Sequence, residues 1–157
     1  MTKIAPIRHH HVTFTLPEGL LPIAMRFPDA IYNALFSAAS WVLKDWFEYK
    51  HDVTPGIVAM LHTVGGHIHL HVLVAGGGVS NGGWHEVRWN YLTRIDHFRK
   101  KFRGRFEKEL LLALQCGELG TMTEAEVKSL FLRLNQQQWI VAVQKGMYKP
   151  EHVVRYS

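Results

Sequence analysis

The sequence predicts an α+β fold, and three observations carry that prediction. Residues 57–63 and 67–74 read as strands joined by Gly65-Gly66, a link so short that the two must run antiparallel. Residues 29–50 and 94–114 place apolar side chains at helical spacing over several turns. Between them, Gly66-His67-Ile68-His69-Leu70-His71-Val72-Leu73-Val74 alternates histidine with aliphatic residues at a period of two. On a strand that period sends His67, His69 and His71 to one face and Ile68, Leu70, Val72 and Val74 to the other.

In chain order, residues 8–16 (Arg-His-His-His-Val-Thr-Phe-Thr-Leu) read as a first strand. His10, Val12, Phe14 and Leu16 share one face; His9, His11, Thr13 and Thr15 share the other. Pro17-Glu18-Gly19 ends it, and Pro22 and Pro28 predict an irregular stretch. Asp29 is the expected N-cap of a helix reaching about Lys50. Its stripe of Ile31, Leu35, Ala38, Ala39, Val42, Leu43, Trp46 and Phe47 suits a core helix covering the sheet. Thr54-Pro55-Gly56 reads as a turn, and residues 57–63 as a buried strand. Gly76-Gly77-Gly78 and Asn81-Gly82-Gly83 predict a loop without side-chain bulk, open to close approach by another backbone.

In the helix of residues 94–114, Ile95, Phe98, Phe102, Phe106, Leu110 and Ala113 form the apolar stripe. Arg94, Arg99, Lys100, Lys101, Arg103, Arg105 and Lys108 crowd the other faces against Asp96, Glu107 and Glu109. Such an excess of cations along one helix suits contact with phosphates, and Arg99, Lys100, Lys101, Arg103 and Arg105 are the candidate DNA-binding residues. Cys116-Gly117 ends that helix. Thr123-Glu124-Ala125-Glu126 is a capping box opening a short helix to about Asn135. Trp139 to Val143 predicts another strand, and Pro150 suits the first position of a last helix that stops at Tyr156-Ser157.

Composition narrows the classes. A chain of 157 residues, 47% hydrophobic and 20% charged, makes one domain with a real core. Its single cysteine, Cys116, excludes a disulfide framework and a cysteine-based zinc site. No apolar run reaches membrane-spanning length, and the N-terminus does not read as a signal peptide. A net charge of +5 favours an anionic partner. Of eleven histidines, seven fall in 9–11 and 62–71.

Two chemistries fit the histidine strand. Two or three imidazoles can hold a divalent cation that polarises a scissile phosphate, with the nucleophile coming from elsewhere. Between Val53 and His85 there is no Asp or Glu, so a third ligand from this hairpin must be histidine, His62 or His67. Without a metal, one histidine could attack a nucleotide phosphate while its neighbours hold the oxygens.

Both chemistries have a family behind them. His67-Ile-His-Leu-His-Val-Leu73 resembles the histidine-triad nucleotide hydrolases and transferases, over about a dozen residues. The other resemblance runs along nearly the whole chain. Arg8 to Pro17 resembles the first strand of the IS91-type transposases. Asn33 to Phe36 resembles their first helix, and Pro55 to Thr63 their second strand. His67 to His71, followed by Val72 to Gly78, is similar to their metal-binding strand and glycine run. Phe102 to Phe106 resembles a shared helix. Trp139 to Val143 and Pro150 to Tyr156 resemble the approach to their catalytic-tyrosine helix.

This second resemblance implies a His-hydrophobic-His (HUH) nuclease with a central antiparallel sheet flanked by helices. It implies Mg²⁺ or Mn²⁺ held by His69 and His71, with His67 or His62 as the third ligand. Tyr156 would be the nucleophile, and the partner single-stranded DNA at transposon ends. The cytoplasm of a bacterium, at the nucleoid when DNA is bound, is the location it implies. The family carries a second tyrosine one turn beyond the first and a cysteine-rich zinc segment ahead of the first strand. Its link from the second strand to the histidines is also longer than Thr63 to His67. The expectation is therefore a single transposase catalytic core over residues 1–157, truncated at its tyrosine helix. A DNA-binding remnant without catalysis is the alternative.

Overall fold

The computed structural model describes residues 9–87 and 95–147. Its elements are β1 (His9–Thr15), a 3₁₀ turn (Glu18–Leu20), α1 (Leu21–Arg26), α2 (Pro28–His51), β2 (Thr54–Val64), β3 (His67–Ser80), β4 (Gly83–Glu86), α3 (Ile95–Gln115), α4 (Glu124–Leu134) and β5 (Ile140–Met147). The strands form one antiparallel sheet in the order β2-β3-β1-β5, and β4 pairs with the far end of β3. The α+β expectation holds.

Alternation explains the layering. Val12 and Phe14 of β1, Ile68, Leu70, Val72 and Val74 of β3, and Val141 of β5 are buried in one core with the stripes of α2, α3 and α4. Phe14 meets Phe102 at a ring-centre distance of 4.7 Å, and Trp139 lies against Phe102, Phe106 and Phe131. The described helices thus lie on one face of the sheet. The opposite face carries His62, His67, His69, His71 and His11, whereas His10, opposite Val74, is buried on the helix side.

Several local expectations are corrected. Asp29 is not the N-cap of α2: the cap is Phe27, Pro28 takes the first turn, and Asp29 sits inside that turn, where its charge complements the helix dipole. The stretch around Pro22 is helical, because a proline in the first turn of α1 loses no helix hydrogen bond. Thr54-Pro55-Gly56 is no turn but the start of β2, with a register irregularity between Pro55 and Ile57. Proline is admissible there because β2 is an edge strand. Residues 57–63 are not fully buried: Val58 and Met60, opposite Leu73 and His71 on the histidine face, are exposed. The expected last helix from Pro150, with Arg8 and Arg94, lies outside the described residues.

The glycine run is strand, not loop. β3 continues through Gly76-Gly77-Gly78, and Asn81-Gly82 turns it into β4. A Cβ on Gly77 would collide with the carbonyl oxygen of His85, and one on Gly78 with that of Thr54. The backbone does approach closely here, but the approaching chain is the protein's own. Gly117, at φ +74°, closes α3, and the Glu118 amide donates to the Ala113 carbonyl. Thr123 caps α4 as expected, its hydroxyl accepting from the Glu126 amide at 3.2 Å.

These contacts separate two glycine substitutions. Gly78→Ala should cost about 1–3 kcal/mol through overpacking against Thr54 and Val53. Gly104→Ala, in α3 with open space around it, should gain about 0.5–1 kcal/mol from helix propensity. Urea unfolding midpoints of the two variants check both signs.

Candidate functional site

Register builds the site. β3 lies between β2 and β1, so His69 and His71 each have a neighbour on either side. His69 pairs with His62 of β2 and Thr15 of β1; His71 pairs with Met60 and Thr13; His67 pairs with Val64. Residues directly opposite on antiparallel strands point to the same face. His62, His67, His69, His71, Thr13, Thr15 and His11 therefore share the face away from the helices.

The rings are close. His62 and His71 are 5.6 Å apart between ring centres, His69 and His71 6.3 Å, and His67 and His69 5.9 Å. His11 stacks on His71 at 5.1 Å. Hydrogen bonds join His69 Nδ1 to Thr15 Oγ1 at 2.8 Å and His71 Nδ1 to His11 Nε2 at 2.9 Å. His67 turns outward, its Nε2 3.4 Å from the Glu18 carboxylate, with both groups well exposed. That carboxylate comes from outside the hairpin, so the hairpin sequence alone could not reveal it.

Electrostatics keeps the central pair neutral. Burial is the largest cause lowering the His69 pKa below the usual histidine value near 6.5, followed by repulsion from His67 and His62. Burial also leads for His71, followed by His11, His62 and His69. A neutral imidazole keeps one lone pair, which is the state that binds metal.

The donor set suits a divalent cation in type. A metal–nitrogen bond is about 2.1 Å, so two rings on one tetrahedral ion have centres roughly 5 Å apart. The His62–His71 and His69–His71 spacings, 5.6 and 6.3 Å, are wider, so these rings would have to turn inward to share an ion. Among the described residues, no three His, Cys, Asp or Glu side chains converge as a ready-made cage. The arrangement is a pair, His69 and His71, with His62 the third ring beside it.

The candidate DNA-binding cations are not brought to this face. Arg99, Lys100, Lys101, Arg103 and Arg105 lie on α3, behind the sheet, and three of them are engaged. Arg99 pairs with Asp96 at 3.1 Å, Lys101 with Asp45 of α2 at 2.6 Å, and Arg105 with Glu109 at 2.9 Å. Lys101 and Arg105 also lie over the Trp41 ring, at 5.9 and 4.9 Å. Lys100 is exposed and Arg103 partly exposed. Tyr156 lies outside the described residues. Sequence reasoning missed Thr15, His11 and Gln144, whose side-chain oxygen lies 3.4 Å from His11 Nδ1. Their shared face was legible, but not the register that sets them against β3.

A helix-backed antiparallel sheet whose open face gathers neutral imidazoles belongs to the class of α+β proteins with a sheet-surface histidine site. Comparison with known proteins is more specific. The family described as "Putative transposase" matches residues 56–157, which include β2, β3 and β5, and the chain belongs to that transposase family. The match contains the whole histidine strand. "Putative transposase y4qJ" of Sinorhizobium fredii (strain NBRC 101917 / NGR234) is 29% identical over 169 aligned residues, covering 98% of this chain and 42% of the relative. The chain thus spans less than half the length of that relative. No solved structure matches. No described helix is long and apolar enough to cross a membrane.

The lowered pKa values fix a pH dependence. Below about pH 6.5 the unfolded histidines take up protons that folded His69 and His71 resist, so the unfolded state binds more protons and stability falls with acidification. Urea midpoints should therefore drop between pH 7.5 and 5.5. The doubly substituted His69→Gln/His71→Gln chain should show a shallower dependence.

Proposed function

We propose that this chain is the catalytic core of an IS91-type transposase that cleaves and rejoins single-stranded DNA at the ends of its element. The observation that carries the reading is the pair His69 and His71 on the open face of the sheet, neutral and flanked by His62. Family membership and the resemblance along the chain support it.

His69 and His71 would hold Mg²⁺ or Mn²⁺, with His62 or His67 completing the set. Bound there, the cation supplies Lewis-acid polarisation of the scissile phosphate. Imidazoles alone would accept zinc or nickel as readily, so the choice of metal rests on the family. Tyr156 is the nucleophile. Its phenolic oxygen attacks phosphorus in line, the bond from phosphorus to the 3′-oxygen breaks, and that oxygen leaves as a 3′-hydroxyl. The 5′-phosphotyrosine keeps the ester's energy, so the reverse attack by another 3′-hydroxyl joins strands without ATP. A phenol with a pKa near 10 must lose its proton on the way, to a base near the site.

DNA would meet the protein on two surfaces. The open face receives the scissile phosphate, while the outer side of α3 lies at least one helix diameter away, about 10 Å. Lys100 and Arg103, the cations of the candidate set without an acidic partner among the described contacts, would hold a flanking segment.

Incubation with an end-labelled single strand from the terminus of the parent element, with Mn²⁺, should give a covalent band on a denaturing gel. EDTA, Tyr156→Phe and His69→Ala/His71→Ala should each abolish it. A native-gel shift without any covalent band would reduce the chain to a DNA-binding remnant. Nucleotide hydrolysis in EDTA would refute the transposase chemistry. In a separate binding assay, Lys100→Ala/Arg103→Ala should weaken binding and lower the salt slope by about 1 to 2.

A further inference from the structure

The hydrogen bonds that β1 makes to the motif histidines carry more information than their lengths. Gln144 of β5 is the register partner of His11 of β1, and its side-chain oxygen can only accept. His11 Nδ1, 3.4 Å away, therefore carries the proton of that ring. In a neutral imidazole the other nitrogen is then an acceptor, and His11 Nε2 faces His71 Nδ1 at 2.9 Å. His71 must hold its proton on Nδ1, which leaves the Nε2 lone pair directed away from β1. Thr15 Oγ1 lies 2.8 Å from His69 Nδ1, and because a hydroxyl can donate or accept, that contact orients the His69 ring without setting its tautomer.

We propose that His11 and Gln144 are positioning residues that fix the tautomer of His71 so that it offers an Nε2 lone pair on the open face, beside the His69 ring that Thr15 orients. The inference rests on the reading of that pair as the cation site. His11 acts as an acceptor only because Gln144 occupies its own proton. The usual second-sphere partner of a ligating histidine is a carboxylate or a carbonyl. Here an imidazole takes that role, and the carbonyl is one step further out. The arrangement is rigid where it touches the pair: His11 and Thr15 are buried, at 4% and 8% exposure, whereas Gln144 is exposed.

Long-range proton–nitrogen spectra of the metal-free, ¹⁵N-labelled chain test this directly, with His69 and His71 assigned by His→Gln substitution. His71 should show a protonated Nδ1 and an unprotonated Nε2. His11→Phe keeps the ring shape but removes the acceptor, and should move His71 to the opposite tautomer. Mn²⁺ affinity by calorimetry should fall about 10- to 100-fold in that variant. His11→Gln, which sets an amide oxygen near the lost Nε2, should restore affinity to within several-fold. Gln144→Leu alters only an exposed side chain and should leave His71 in a mixture of tautomers, whereas Gln144→Glu should preserve the single form.

A metal-free His71 with its proton on Nε2 would overturn the proposal. So would a folded His11→Phe chain with unchanged tautomer and unchanged Mn²⁺ affinity. The expected tautomer in a wild-type chain that binds no Mn²⁺ would uphold the positioning and remove the cation from the proposed function.

Discussion

The register of β3 between its two neighbours is the constraint on which the rest depends. Its aliphatic residues meet the helices and its histidines meet the opposite side, strictly by alternation. A slip by one residue would drive three imidazoles into a core of phenylalanine and leucine, where burying an unpaired polar ring costs kilocalories. The same slip would expose Ile68, Leu70 and Val72. The hydrophobic term and the polar term therefore select one register together. That register places His62 and Thr15 on either side of His69.

Much of this was legible in the sequence because it is periodic or local. The period of two in residues 67–74, the short glycine link, the stripes of the two long helices and the Thr123 capping box all survive in the structure. Misread features were those whose meaning depends on a distant partner. Gly76 to Gly78 signal close approach in any context, but only the fold shows that Thr54 and His85 are what approach. Residues 57–63 have the composition of a buried strand, yet Val58 and Met60 lie on the sheet face opposite the helices and stay in solvent. Pro22 breaks a helix in its interior and starts one in its first turn, and only the backbone around it decides which.

The histidine face shows the same division. Alternation along one strand assigned His67, His69 and His71 to a common face without any knowledge of the fold. It could not tell them apart. Across the sheet they differ: His69 and His71 are braced by β1 and held neutral, while His67 reaches out to Glu18 at an exposed edge. The site is therefore graded from an outer, water-facing histidine to an inner pair with fixed partners. Function follows the inner pair, because a ligand must be both deprotonated and oriented before it can bind.

Charge along α3 misleads for a related reason. Counting residues gives a strongly cationic helix, but the count omits Asp45, which α2 brings to Lys101, and Trp41, against which Lys101 and Arg105 lie. Those two side chains tie α3 to α2 and so help hold the layer that backs the sheet. A cation already paired at 2.6 Å must give up that partner before it can serve a phosphate, and the exchange returns little of the counterion-release free energy that drives nucleic-acid binding. Lys100 and Arg103 carry no such debt among the described contacts. The helix is thus divided around its circumference between cations that build the fold and cations still available to an anionic chain. Any strand that uses both the histidine face and α3 must pass around the sheet edge, because the core of phenylalanines between them admits nothing else.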